Sequence, residues 1–365
     1  MLIATGRTAA DATEPAPPRP DPTDADLARV RSGRARRARR RVVALSVLSA
    51  LIVALFVAML VLGNTIYPLS DVVAVLLGQD VPGASFAVGT LRLPRALTAV
   101  LAGLAFGAAG ATFQTMLRNP LASPDVIGIT SGASAAAVLS LVILHWASGP
   151  TMALALAAGI LTALVIYLAA RGGEATGGRL ILIGIGVGAM LNAVVGFLLL
   201  RAAVWDLPAA ARWMSGSLNG ARLEDVPPLA VSVVVLIPLL LVLARDLGAL
   251  ELGDAAASSL GVRVDRTRLL LVVAAVALVC VATATTGPIA FVAFLSGPIA
   301  TRIMGAGSPV VLPAALTGAC LVLTADLLGQ FAFDTKFPVG VITGILGAPY
   351  LLYLLIRTSR RGGSA

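Results

Sequence analysis

Ten stretches of mostly apolar residues set the architecture of this 365-residue chain. They run over 42–62, 96–116, 127–144, 152–169, 180–200, 228–244, 269–286, 289–301, 310–328 and 338–356. About 20 apolar residues cross the hydrocarbon layer as a helix, and fewer suffice where the helix is broken or enclosed by others. The eighth run is too short to cross alone as a straight lipid-facing helix. The sequence therefore predicts an all-α polytopic membrane protein with about ten transmembrane helices. Composition excludes the competing classes: 58% of residues are apolar and 12% charged, against about 45–50% and about 25% in soluble domains. A soluble enzyme, a disulfide-stapled secreted domain and a disordered chain are all ruled out.

The formal charge of +9 raises the question of a nucleic-acid partner, but position argues against one. Eight arginines between Arg29 and Arg41 immediately precede the first apolar run, where a basic block anchors a membrane helix on its cytoplasmic side. With that end inside, ten spans leave 21 of the 27 basic residues inside and six outside, namely Arg92, Arg95, Arg201, Arg212, Arg222 and Lys336. That bias is the one the positive-inside rule requires. Both termini are then cytoplasmic, and no nucleic-acid partner is expected. Residues 1–41 read as a disordered, Pro- and Asp-rich tail ending in the basic anchor, residues 42–357 as the ten-helix domain, and 358–365 as a short cytoplasmic tail.

Catalytic chemistry has few candidates. There is no nucleotide-binding G-x-x-x-x-G-K-[ST] motif, no HExxH and no paired-cysteine metal spacing; Cys280 and Cys320 lie inside apolar runs. No cofactor or metal is expected on this chain. His145 beside Trp146 reads as an interfacial anchor. The spans are almost free of ionisable groups, which weakens an ion-coupled secondary transporter. Asp326 is the main exception, read as a helix-end carboxylate bonding to neighbouring backbone, with a proton relay as the alternative. Glycine pairs at Gly103-x-x-x-Gly107, Gly128-x-x-x-Gly132, Gly184-x-x-x-Gly188 and Gly340-x-x-x-Gly344 put two small residues on one helix face. They serve tight packing, a translocation route or a subunit contact.

The segment between Arg245 and Arg268 is long for a loop. Gly253 and Gly261 bracket Asp254–Leu260, about two helical turns, and Leu250, Leu252 and Leu260 call for a covering surface. It reads as a short cytoplasmic helix that presents a knob to a partner.

Several motifs carry a resemblance to a known family. Leu91-Arg-Leu-Pro-Arg95, then Gly103, Gly110, Gln114 and Arg118-Asn-Pro-Leu-Ala-Ser-Pro-Asp-Val-Ile-Gly-Ile-Thr-Ser-Gly-Ala133 resemble permeases of binding-protein-dependent ABC importers for iron–siderophore complexes, haem and vitamin B12. So do Arg212-Trp-Met-Ser-Gly-Ser-Leu218, the Glu251-to-Val264 segment, Gly287-Pro-Ile-Ala-Phe-Val292 and Phe337-Pro-Val-Gly-Val-Ile-Thr-Gly-Ile-Leu-Gly-Ala-Pro349. The resemblance implies a multi-pass subunit of a bacterial cytoplasmic membrane, paired with a second permease subunit. Two ATPase subunits that use ATP and Mg would lie below it, and an extracytoplasmic substrate-binding protein above. It implies that Arg92 and Arg95 dock the binding protein, and that Glu251, Leu252, Gly253, Asp254, Ser258, Leu260 and Gly261 form the coupling segment. It also implies that the fifth span lines the pathway through Gly184, Gly188, Asn192 and Gly196. The expected cargo is ferric siderophore, with vitamin B12, haem or a metal ion as alternatives.

The chain departs from the family pattern in three places. Ala293-Phe-Leu-Ser-Gly-Pro-Ile299 lacks the usual histidine. Lys336-Phe-Pro stands for Glu-Leu-Pro. Gln330 takes the place of an outer arginine, which suits a heterodimer whose partner supplies more of the docking contact.

Overall fold

The computed structural model describes residues 24–125, 127–170, 176–305 and 307–362. The chain divides into two units, Met1–Val43 and Ala44–Ala365. In order, the helices are α1 (Asp24–Val61), the short α2 (Leu69–Leu76), and α3 (Leu93–Met116), entered through a widened π-type segment at Ser85–Arg92. Next, α4 (Ile129–Leu139) continues in π-type geometry over Ser140–Leu144, followed by α5 (Ser148–Ala170), α6 (Thr176–Arg201) and the short α7 (Leu207–Met214). A 3₁₀ turn at Leu223–Asp225 opens α8 (Val226–Val242), which leads into the short α9 (Ala244–Leu250) and α10 (Asp254–Ser259). The chain closes with α11 (Val264–Thr286), α12 (Val292–Met304), α13 (Val311–Phe331) and α14 (Val339–Gly362).

Among the described residues, seven helices are long and apolar enough to cross a membrane. Three shorter apolar ones, Ile129–Leu144, Val292–Met304 and Val339–Leu354, complete the ten expected spans. The boundary expectations need two adjustments. Helix α1 begins at Asp24, inside the stretch read as a disordered tail, because Ala, Leu and Arg are good helix formers and two aspartates lie in its first turn. Likewise α14 continues to Gly362, into the expected C-terminal tail. Residues 1–23 and 363–365 lie outside the described residues.

Helix α3 is the central post of the larger unit. Its most apolar window is 78% buried, against 22% for α6, and it packs on α8, α11, α12 and most extensively α13. Hydrophobicity cannot drive such packing in lipid, so close backbone approach must supply the contact energy. Gly103, Gly107 and Gly110 provide it at i, i+4 and i+7. A Cβ on Gly103 or Gly107 would overlap the backbone of α13 at Gly318–Ala319 and Ala314, and one on Gly110 would overlap the Ala293 carbonyl of α12. Gly318 faces Gly103 reciprocally, so the two helices meet backbone to backbone.

One polar side chain fixes the α3–α12 register. Pro298 lies inside α12 and has no N–H, so the carbonyl four residues back, Phe294, loses its helical donor. The buried Gln114 of α3 supplies the replacement: its Nε2 donates to the Phe294 carbonyl at 2.9 Å and to the Pro120 carbonyl at 3.0 Å. Gly297 leaves the room this amide needs, since a Cβ there would collide with Gln114 Oε1.

Gln114→Leu should therefore cost about 1–3 kcal/mol, the penalty of a buried carbonyl left without a donor. A lowered melting temperature in detergent measures it. Adding Pro298→Ala to that variant should recover part of the loss, because alanine restores the backbone N–H that can bond to the Phe294 carbonyl. A combined variant less stable than Gln114→Leu would contradict the assignment.

Candidate functional site

The two predicted docking arginines sit at the N-terminal end of α3, and the fold engages both. Arg92 closes the C-terminal end of α1: its Nη1 donates to the carbonyls of Leu60 and Val61 at 2.8 Å, and its Nη2 to that of Thr65 at 2.7 Å. These carbonyls belong to the helix end and the turn after it, which need external donors. The guanidinium also lies 5.1 Å from the centre of the Tyr67 ring, and Gly63 has no side chain to obstruct it. Arg95 makes a bidentate pair with Asp326 of α13, Nε to Oδ2 at 2.8 Å and Nη2 to Oδ1 at 2.7 Å. Its Nη1 donates to Asn219 Oδ1. Of the five N–H donors on each guanidinium, three are used in each case and two remain.

Asp326 differs from its sequence reading. It bonds to side chains, Arg95 and the Gln330 amide (2.8 Å), rather than to neighbouring backbone. A buried carboxylate needs a cation and further donors more than a helix-end one does. Gln330, read as the replacement for an outer arginine, satisfies this carboxylate. His145 lies at the end of the π-type segment after α4, exposed, with Nδ1 3.8 Å from Asp206 Oδ2.

The predicted coupling segment lies at the other end of α3, about 35 Å away for 24 helical residues. Helix α10 forms between the two glycines as expected, with Gly253 as its N-cap at φ 104° and Gly261 just beyond it at φ 86°. Both conformations disfavour side chains. Asp254 accepts from Arg268 of α11 at 2.9 and 3.1 Å, which ties the start of α10 to the next helix. Leu250 and Ala257 turn inward, whereas Leu252, Ser258 and Leu260 are exposed. Partial burial raises the Glu251 carboxyl above its ordinary value.

Helix α6 sorts the four predicted pathway residues into two faces. Gly184 and Gly188 are buried against the turn that opens α4, where Gly128 (φ 78°) and the Ile127 carbonyl press onto them. The first two glycines make helix contacts in this structure. Asn192 and Gly196 are exposed, as are Gly186, Met190 and Phe197. Sequence spacing linked Gly184 to Gly188 but could not say which face a neighbour covers.

Sequence reasoning assigned no role to Arg118, Arg245, Arg302 or Asp125 at this inner end. The first three line a cavity of about 1010 Å³ beside α9, together with Gln114, Asn119 and Glu251. Asp125, in the turn before α4, has both carboxylate oxygens buried, with no well-formed hydrogen bond among the described residues. Burial pushes it up to about 7, tempered by the nearby Thr130 hydroxyl.

Two outcomes follow. Losing either partner of the Arg95–Asp326 pair, whose side chains are 16% and 1% exposed, should cost about 3–5 kcal/mol because it strands a buried charge. Arg95→Met combined with Asp326→Leu should be milder than either Arg95→Met or Asp326→Leu alone in thermal melts. For Asp125, the folded value lies above the ordinary 3.8, so its protonated form is the one the fold favours. Its contribution is fully present below about pH 4 and lost as pH rises to about 7. Asp125→Asn should remove that decline, so that its stability advantage over wild type grows from pH 5 to pH 7.5; a constant difference would sink this reading.

Residues 51–357 match the FecCD transport family. The chain is 41% identical to the ferric enterobactin transport system permease protein FepG of Escherichia coli over 80% of its length and 89% of that protein's. It is 36% identical to the Fe(3+)-citrate import system permease protein YfmE of Bacillus subtilis, over 87% and 96% of the two chains. It is 39% identical to the achromobactin transport system permease protein CbrC of Dickeya dadantii, over 84% and 89%. A solved inward-facing metal-chelate type ABC transporter chain superposes with a TM-score of 0.76 at 26% identity, covering 86% of this chain and 98% of that one. With ten apolar helices in order and a family match across nearly all of them, this chain belongs to the FecCD transport family of ABC importer permeases.

Proposed function

We propose that this permease carries ferric siderophore across the bacterial cytoplasmic membrane as one subunit of an ATP-driven importer. The observation that carries the reading is the set of relatives at 36–41% identity over at least 80% of the chain, named for transport of ferric enterobactin, Fe(3+)-citrate and achromobactin. A cobalamin permease of Halobacterium salinarum is 35% identical over 74% of the chain, which keeps that cargo as the alternative. The exposed α6 face supports passage of a bulky, weakly held chelate: Gly186, Asn192 and Gly196 present small or neutral groups, not a ligand cage.

In this reading a second permease subunit faces α6 and the two ATPase subunits bind ATP and Mg. Exposed Leu252 and Leu260 seat the coupling segment in an ATPase. The binding protein meets the outer end of α3, where Arg92 and Arg95 each keep two N–H donors for its acidic groups. ATP-driven closure of the ATPases shifts the equilibrium between outward- and inward-facing helix packings.

Cells that lack this permease should lose uptake of radio-iron-labelled ferric siderophore and keep uptake of labelled cobalamin; the reverse result would overturn the cargo assignment. Gly253→Val forces a side chain into a backbone region that costs about 1–3 kcal/mol and displaces the coupling helix. Proteoliposomes bearing it should hydrolyse ATP with uptake per ATP reduced at least several-fold.

A further inference from the structure

The inner-end cavity sets three arginines, Arg118, Arg245 and Arg302, against one acid, Glu251. Arg302 lies against the rings of Tyr350 and Tyr353 at 5.6 and 5.3 Å. Arg118 and Arg245 are exposed, with no side-chain hydrogen bond or ion pair among the described residues.

Arg118 also has an unusual backbone. It occupies the left-handed region at φ 50°, two residues past the last of α3 and just beyond its C-cap Leu117. Its N–H donates to the Thr115 carbonyl at 3.1 Å, and the next N–H, that of Asn119, donates to the Gln114 carbonyl at 3.0 Å. This pair of bonds is the Schellman helix ending, in which the left-handed position is usually glycine because a Cβ is penalised there. Glycine would close α3 at lower cost, so retention of an arginine points to its side chain. The guanidinium reaches across to α10, with Nη1 3.6 Å from where a Cβ on Gly253 would stand. Strain held at one residue, for a side chain directed at a surface, marks functional use.

We propose that this cavity receives an acidic segment of the ATPase subunit, anchored by Arg118 and Arg245, so that the coupling contact extends beyond α10 to the C-terminal end of α3. The inference rests on the importer reading above. Charge selects the occupant, three cations against one acid, and the volume of about 1010 Å³ accommodates several side chains rather than a single small anion. Continuity with Gly253 places it beside the segment already assigned to the ATPase. Arginine's planar fork suits carboxylates in particular. The consequence is mechanical: an ATPase movement would act directly on α3, the helix whose other end holds Arg95 and Asp326.

The test titrates the purified full-length permease in detergent with purified ATPase subunit, with binding followed against salt. Arg118→Gly is the informative variant, since it relieves the left-handed strain. It should melt at or above the wild-type temperature yet bind the ATPase subunit about tenfold more weakly. Arg118→Glu combined with Arg245→Glu should abolish binding, and the salt dependence of the remaining variants should flatten. Wild-type affinity in Arg118→Gly, and again with Arg245→Ala added, would overturn the proposal. So would a loss that added anionic lipid restores, because the cavity would then be a lipid headgroup site. Should the wild-type permease itself bind no ATPase subunit, the importer reading falls first, a result distinct from selective loss in the variants.

Discussion

The contact of α3 with α13, backbone against backbone, is the constraint on which the larger unit depends. In a bilayer the solvent is as apolar as the side chains, so burial alone gives no reason for two helices to meet. Removing side chains from the meeting face lets main chains approach and dispersion accumulate. The Gly103–Gly107–Gly110 row does this on α3, with Gly318 answering from α13. Such a face is unspecific along its length, since one small residue resembles another. Polar links at both ends of α3 fix the register: Arg95 to Asp326 at one end, and Gln114 to the carbonyl freed by Pro298 at the other.

Those links also explain where charge is tolerated. The buried ionic pair sits close to a helix end, with Gln330 and Asn219 satisfying further atoms. Asp125 is the opposite case: burial raises its carboxyl, so the fold favours its protonated form. Arg92 shows the same economy at α1, using its cation to close a helix terminus.

The spans were legible because a 20-residue apolar run has few alternatives, and α10 was legible because Gly253 and Gly261 mark where a chain can turn sharply. Pairings at long range were not. Arg95 and Asp326 are 231 residues apart, and nothing in either local sequence names the other. Asp326 therefore read as a backbone-bonded helix end. Glycine spacing identified faces but not their neighbours: Gly128 packs on Gly184 and Gly188, whereas nothing among the described residues stands close to Gly196. Arg118 was illegible for another reason: the helix ending it occupies normally announces itself by glycine.

The distribution of charge bears on how work reaches the cargo. A transporter powered by a proton gradient commonly places titratable groups along its route, where their protonation or pairing can alternate. Here α6 carries no acidic residue between Thr176 and Arg201, and its exposed residues Gly186, Met190, Asn192, Gly196 and Phe197 are neutral. The ionisable groups cluster instead at the two ends of α3, in positions that hold or contact helices. A neutral face cannot store free energy by titration, which accords with the proposal that the driving force enters as displacement of the helices. The inner end, with α10 and the arginine-lined cavity, is the place where the structure offers a partner something to push.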